Sequence, residues 1–255
     1  PPPPPTFFFQ AVDGIRDSVA ARGRGDVYKR QGSTPMRPMG IFGGTFDPIH
    51  YGHLRTAFEI LQALHFDEVR FMPCGHPPHR IKQIADAELR LKMVRVAINS
   101  QAGFVVDDRE LLRDGPSYSV DTLTMLREEF PLRPLSLIIG MDAFLDLPKW
   151  HRWREILQLS HIVVAHRPGW RIPNMGPLGK LLANTGTHRV RNLHQTVSGH
   201  IFIHDVTQLD ISSSEIRKLI TTGGNSRFLI PDGVRELIDQ SGCYAPDESG
   251  INNHC

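Results

Sequence analysis

From Met39 onward, short apolar runs alternate with longer stretches whose apolar residues recur every three or four positions. The runs MGIF (39–42), EVRFMP (68–73), GFVVDD (103–108), LSLIIG (135–140), HIVVAH (161–166) and HIFIHDV (200–206) each predict a strand. The run 135–140 is almost wholly apolar, as a parallel strand covered on both faces should be. Between the runs, His53 to Leu64 carries Leu54, Ala57, Phe58, Leu61 and Leu64 on one helical face. Ala87 to Asn99 turns Leu91, Val94 and Ile98 inward in the same way. Ser119 predicts an N-cap for a helix from Val120 to Phe130, and WREILQL (153–159) predicts another. Ser213 opens a helix to Thr221, and Pro231 opens the last, to Gln240, from the first-turn position that proline tolerates.

Strands alternating with helices imply an α/β fold: a doubly wound, mainly parallel sheet of about six strands with helices on both faces. Ligands of such sheets bind beyond the carboxyl ends of the strands. No repeat and no boundary interrupts residues 39 to 245, so one domain is expected over 36–245, followed by a tail at 246–255. Residues 1–35 are foreign to this pattern. PPPPP favours an extended segment, and RGRGDVYKRQGSTP has neither helical nor strand period. Arg22, Arg24, Lys29 and Arg30 could tether nucleic acid or a membrane. The plainer expectation is a disordered leader, or sequence upstream of a natural start at Met36 or Met39.

Composition then narrows the classes of function. The 255 residues carry a net charge of +2, which argues against a protein built mainly to hold nucleic acid, so substrate charge must be met locally. Cys74, Cys243 and Cys255 are few, odd in number and widely spaced, which suits a reducing cytoplasm better than a disulfide framework. No apolar run approaches the roughly 20 residues of a membrane span. Assembly into a homo-oligomer stays open.

The chemistry concentrates in GIFGGTFDPIHYGH (40–53), where a strand gives way to a helix. Gly43 and Gly44 lack Cβ atoms, so the backbone can turn sharply and an anion can approach the main chain. Thr45 and the amides after it can donate, and the helix start offers free N–H groups and a partial positive charge. His50 and His53 then sit in the loop and first helical turn, facing the same anion. Other readings of these residues exist: a simple turn, structural histidines, or a metal held by the two histidines with Asp47, for which no further ligand stands at a standard spacing. Cys74, His76 and His79 likewise lack the ligands of a zinc site. Near the other end of the domain, ISSSEIR (211–217) places Ser212 and Ser213 at a helix start with Arg217 one turn on. Alone it reads as a capping signature; beside the first motif it reads as a second phosphate site.

Together the two segments resemble the signatures of the H-x-G-H nucleotidylyltransferases, here His50-Tyr51-Gly52-His53 and, with serine for the usual threonine at Ser214, ISSSEIR. Within that superfamily the chain is most similar to bacterial nicotinate-nucleotide adenylyltransferases. PPHR (77–80), DDREL (107–111), PSYS (116–119), IIGMDAF (138–144), LPKWHRW (147–153) and HRPGW (166–170) follow in that family's order over residues 39 to 245. The resemblance implies a Rossmann-like nucleotidylyltransferase fold and adenylyl transfer from ATP to nicotinate mononucleotide in NAD biosynthesis. A related acceptor such as nicotinamide mononucleotide is the alternative, and a sensor that binds nucleotide without turnover is a further rival.

It also implies roles for residues. His50, His53 and Arg217 would bind the ATP phosphates and stabilise the transition state. Gly43, Gly44, Thr45 and Phe46 would line the nucleotide site, joined on the ATP side by Ser212 and Ser213. Arg80 would help hold the triphosphate, and Asp142 the adenosine. Tyr118 and Ser119 would contact the nicotinate part, with Trp150 stacking on its ring. Mg²⁺ would travel with the ATP phosphates rather than in a protein cage. Two departures from the family pattern stand near the pyridine side: Cys74-Gly75 in place of asparagines, and His151 in place of an aromatic residue.

Overall fold

The structure, a computed structural model, describes residues 37–77, 84–166, 169 and 171–245. The predicted leader 1–35, the tail 246–255 and Arg80 lie outside them. The chain runs β1 (Met39–Gly44), α1 (Tyr51–Ala63), β2 (Glu68–Pro73), α2 (Ala87–Ile98), β3 (Phe104–Val106), α3 (Ser119–Glu129), β4 (Leu135–Gly140) and α4 (Met141–Asp146). It continues through α5 (Ile156–Leu159), β5 (His161–His166), α6 (Gly176–Thr185), β6 (Gly186–Thr187), α7 (Asn192–Gln195), β7 (Ile201–Asp205), α8 (Ser213–Thr221) and α9 (Asp232–Ser241). The strands form one seven-stranded sheet in the order β3-β2-β1-β4-β5-β7-β6, and every neighbouring pair is parallel. The strand beyond the expected six is β6, too short at two residues to show a period.

Side-chain alternation along each strand feeds two cores, one on each face. Phe42, Val69, Phe71, Ile138, Val163 and Phe202 point to one face, where Ala57 and Ile60 of α1, Met93 and Val94 of α2, Ile216 of α8 and Val234 of α9 cover them. Met39, Ile41, Leu137, Ile139, Ile162 and Val164 point to the other, under Val120, Leu123 and Leu126 of α3, Ile156 of α5 and Leu178 of α6. This is the doubly wound arrangement read from the sequence.

Three local details differ from expectation. α1 starts two residues earlier than predicted, with His50 as its N-cap. Tyr118, not Ser119, is the N-cap of α3, and Ser119 is its first helical residue. The predicted helix at 153–159 is a 3-10 turn (Trp153–Glu155) that runs into the short α5. The reading of the cysteines also needs correction: Cys74 is a free thiol, but Cys243 is disulfide-bonded. Among the described residues no helix is long and apolar enough to cross a membrane.

One buried histidine makes stability depend on pH. His161, fully buried at the start of β5, accepts from the His200 N–H at Nδ1 (3.1 Å) and donates from Nε2 to the Thr196 carbonyl (2.9 Å). Burial pushes its pKa down to about 4 from the ordinary 6.5. The folded ring therefore stays neutral where an unfolded one would bind a proton, so its contribution is intact above pH 6.5 and is lost as pH falls towards 4. The urea midpoint is expected to fall between pH 7 and pH 5, and His161→Asn should flatten that slope. An unchanged slope in the variant would assign the acid sensitivity elsewhere.

Candidate active site

The chain leaves β1 outward through β2 and β3, then crosses back to lay β4 on the other side of β1. That reversal opens a crevice above the carboxyl ends of β1 and β4, where ligands of open α/β sheets bind. Gly43 and Gly44 end β1 there and Asp142 follows the end of β4, while Arg80 lies outside the described residues.

β1 ends in Gly43-Gly44. A Cβ added at Gly43 would meet nothing within 4 Å, so this exposed stretch of main chain stays open to an incoming group. At Gly44 a Cβ would lie 2.9 Å from the Phe46 ring, which requires glycine there. Phe46 itself takes a left-handed backbone (φ 51°), disfavoured for a bulky residue. Its ring is only 2% exposed and sits edge-on to Phe42 and His53. Phe46 thus belongs to the core by its side chain, and only its backbone can line a nucleotide site. Thr45 is half-buried beside it, and a cis Asp47–Pro48 bond follows.

The two histidines are brought together. Their rings stack with centroids 3.7 Å apart at 25°, and the His50 N–H donates to His53 Nδ1 (3.3 Å). With Nδ1 accepting, the ring proton of neutral His53 resides on Nε2. Gly52 makes the stack possible, because a Cβ there would stand 2.9 Å from His50 Nδ1. His50 is buried and His53 half-buried.

The second motif docks on the same loop. Arg217 donates from Nη1 to the Asp47 carbonyl (2.6 Å), and Ser213 Oγ donates to the Pro48 carbonyl (2.9 Å). Ser212 is the N-cap of α8: its hydroxyl accepts from the Glu215 N–H (3.2 Å) and donates to the Glu215 carboxylate (2.8 Å). Both serine hydroxyls are therefore engaged within the protein, and the amides at the start of α8 are what the motif offers an anion.

The pyridine-side residues form a neighbouring group. Tyr118 lies against His151 with centroids 4.3 Å apart and the rings tilted by 30°, and the adjoining Trp150 is partly buried and packs against the core. Ser119 is half-buried behind Tyr118. Ser117 ties this group to the loop after β2, its Oγ accepting from the N–H groups of Gly75 and His76 (3.1 Å each), while the Cys74 N–H donates to the Gly44 carbonyl (2.8 Å). Asp142 is exposed in the first turn of α4, directly after β4, the strand beside β1.

Several supporting residues were not singled out by sequence reasoning. Arg90, fully buried on α2, donates from Nη1 to the carbonyls of Thr45 and Cys74 (2.8 Å each), bridging the loops that leave β1 and β2. Glu110, buried beneath Ser117 and Cys74, accepts from Thr122 Oγ1 (2.7 Å); its pKa is raised by burial, and its charge helps raise the mainly burial-shifted Cys74 thiol to about 11. Asp47 is not placed to join the histidines around a metal. Its carboxylate accepts from the Ile84 and Ala85 N–H groups and from the Tyr244 hydroxyl. Arginine on an apolar helical face at position 90 was the one signal that could have been noticed.

A parallel sheet whose switch point carries the Gly43–His53 segment and the start of α8 has the architecture of a nucleotide-binding α/β transferase. The profile of the cytidylyltransferase-like family matches residues 41–219. A curated protein of Aeromonas hydrophila named "Probable nicotinate-nucleotide adenylyltransferase" is 46% identical over 209 residues, covering 82% of this chain and 98% of its own. One of the same name from Acidithiobacillus ferrooxidans is 48% identical over 205 residues, covering 80% and 94%. The chain belongs to the nicotinate-nucleotide adenylyltransferase family. The fold is shared with the nicotinic acid mononucleotide adenylyltransferase of Plasmodium falciparum solved with NaAD, at 18% identity and a TM-score of 0.63 over 82% of this chain and 97% of that one.

Proposed function

We propose that this chain transfers the adenylyl group of ATP to nicotinate mononucleotide, forming nicotinate adenine dinucleotide and pyrophosphate. The observation that carries the reading is that both phosphate motifs converge on the main chain of residues 47–48, with the His50–His53 stack beside them, in a chain of this family. A 5′-phosphate oxygen of the mononucleotide attacks the α-phosphorus in line, and the bond from that phosphorus to the β-phosphate bridging oxygen breaks. The nucleophile is already an anion, so no general base is needed, and the work is orientation and neutralisation of charge.

In this reading His53 Nε2, His50 and the Arg217 guanidinium bind the triphosphate and meet the charge that develops on the α-phosphoryl and leaving group. The open main chain at Gly43 and Gly44, with Thr45, admits the phosphates, and the first amides of α8 at Ser212 and Ser213 receive them. Asp142 faces the adenosine; Tyr118, Ser119 and Trp150 hold the pyridine nucleotide. Arg80 is assigned to the triphosphate on its motif alone. The donors gathered here are imidazole, guanidinium and amide N–H, which suit phosphate oxygens, and no group of three or more metal-ligating side chains is found among the described residues. Mg²⁺ would arrive on the ATP phosphates and neutralise part of their charge rather than sit in a protein cage.

Purified protein given ATP with either nicotinate or nicotinamide mononucleotide decides the matter. Pyrophosphate release is expected with both or with the acid alone, at the higher kcat/KM for the acid. A preference for the amide would reassign the acceptor, and ATP binding without release would make the chain a sensor.

A further inference from the structure

Tyr244 stands 27 residues beyond Arg217, outside both phosphate motifs, yet it reaches Asp47 in the first of them. It follows α9, is 5% exposed, and takes a left-handed backbone (φ 64°). Its carbonyl accepts from Thr221 Oγ1 (3.1 Å), which fastens it to the end of α8, the helix that carries Arg217. Its hydroxyl donates to Asp47 Oδ1 (2.5 Å). The same carboxylate accepts from Ala85 N–H at Oδ1 and from Ile84 N–H at Oδ2, and Oδ2 lies 3.9 Å from Arg217 Nη1. Arg217 Nη1 in turn donates to the Asp47 carbonyl. One residue, Asp47, is thus gripped on its side chain by Tyr244 and on its main chain by Arg217.

We propose that Tyr244 is a positioning residue for adenylyl transfer: through Asp47 it fixes Arg217 and the loop from Gly43 to His50 in their phosphate-binding arrangement. The hydroxyl is suited to the task. Burial and the Asp47 charge hold its pKa far above the ordinary phenol range, so it remains a donor throughout the pH range in which the enzyme can be assayed. The arginine contributes a planar fork whose value depends on orientation, so a shift of residue 47 costs more in the transition state than in ground-state binding.

The proposal rests on the adenylyl-transfer reading for its kinetic readout, and a double-mutant cycle on the full chain tests it. Tyr244→Phe keeps the ring and removes only the hydroxyl. It should lower kcat about tenfold, the scale of one lost hydrogen bond to a charged group, with a smaller change in the KM for ATP. In an Arg217→Ala background the same substitution should cost less than about twofold, because the group it positions is gone. Asp47→Asn, carried through the same cycle, is a second arm should the tyrosine variant fold poorly, and should show the same shrinkage. ATP affinity is measured on all the proteins, and Tyr244→Phe should weaken it only when Arg217 is present. Equal losses in both backgrounds, or no loss from Tyr244→Phe alone, would reduce Tyr244 to packing. Coupling in ATP affinity together with no pyrophosphate from the unsubstituted protein would reject the adenylyl-transfer reading and keep the tyrosine's role.

Discussion

His53→Ala is expected to lower kcat at least about 100-fold, the scale of a lost transition-state donor, while the melting temperature changes little. The reason lies in the local geometry. Because His53 Nδ1 accepts the His50 N–H, the neutral ring carries its proton on Nε2. The ring is held edge-on to Phe42 and Phe46 and stacked on His50, so its orientation is set before a substrate arrives. Preorganised donors of this kind act on charge as it develops and need no reorganisation at the moment of reaction. The ring is only half-buried, so its removal opens a surface hollow rather than a core cavity. Single-turnover rates and thermal unfolding on the same preparation check both halves. Turnover within a few-fold of the parent would remove His53 from the reacting centre. His53→Gln, which restores an N–H donor on a more flexible stem, should recover part of the loss.

The sheet was legible because each parallel strand is covered on both faces and therefore reads as a compact apolar run; Leu135–Gly140 and His161–His166 end where predicted. The irregular connections were not legible. Gly186–Thr187 is too short for a period, and α6, which begins Gly-Pro, buries only Leu178 and Gly179. At the site, the residues that would touch phosphate announce themselves through glycines and histidines at a strand-to-helix boundary. Phe46 shows the limit of such reading: it stands inside the motif, yet its side chain serves the core. Ser212 and Ser213 show another, since a hydroxyl at a helix start reads the same whether it meets a ligand or, as here, Glu215 and Pro48. The supporting shell was hidden for a different reason. Arg90, Glu110 and Tyr244 act across long sequence separations, Tyr244 on Asp47 most of all, and no local spacing encodes contacts of that kind.

Arg90 is the member of that shell whose loss should cost the most stability. It is fully buried, and its guanidinium donates to main-chain carbonyls on three stretches of chain: Thr45, Cys74 and Ala85. These carbonyls lie at the carboxyl ends of β1 and β2 and at the approach to α2, so one side chain closes the loops that the sheet itself leaves open. Arg90→Leu would keep some apolar volume but strip the donors and leave three carbonyls short of a partner, at about 1–3 kcal/mol for each buried acceptor left unsatisfied. For a domain of this size that lowers the melting temperature by about 10 °C. Arg90→Lys retains the charge but not the fork that reaches two carbonyls at once, and should fall between the parent and Arg90→Leu. Calorimetry on the three proteins measures the series, and a leucine variant melting within about 2 °C of the parent would show that the loops hold without the guanidinium. Because Thr45 sits between Gly44 and Asp47, the same loss reaches the chemistry: at temperatures where Arg90→Leu is still folded, its turnover should already fall below that of Arg90→Lys.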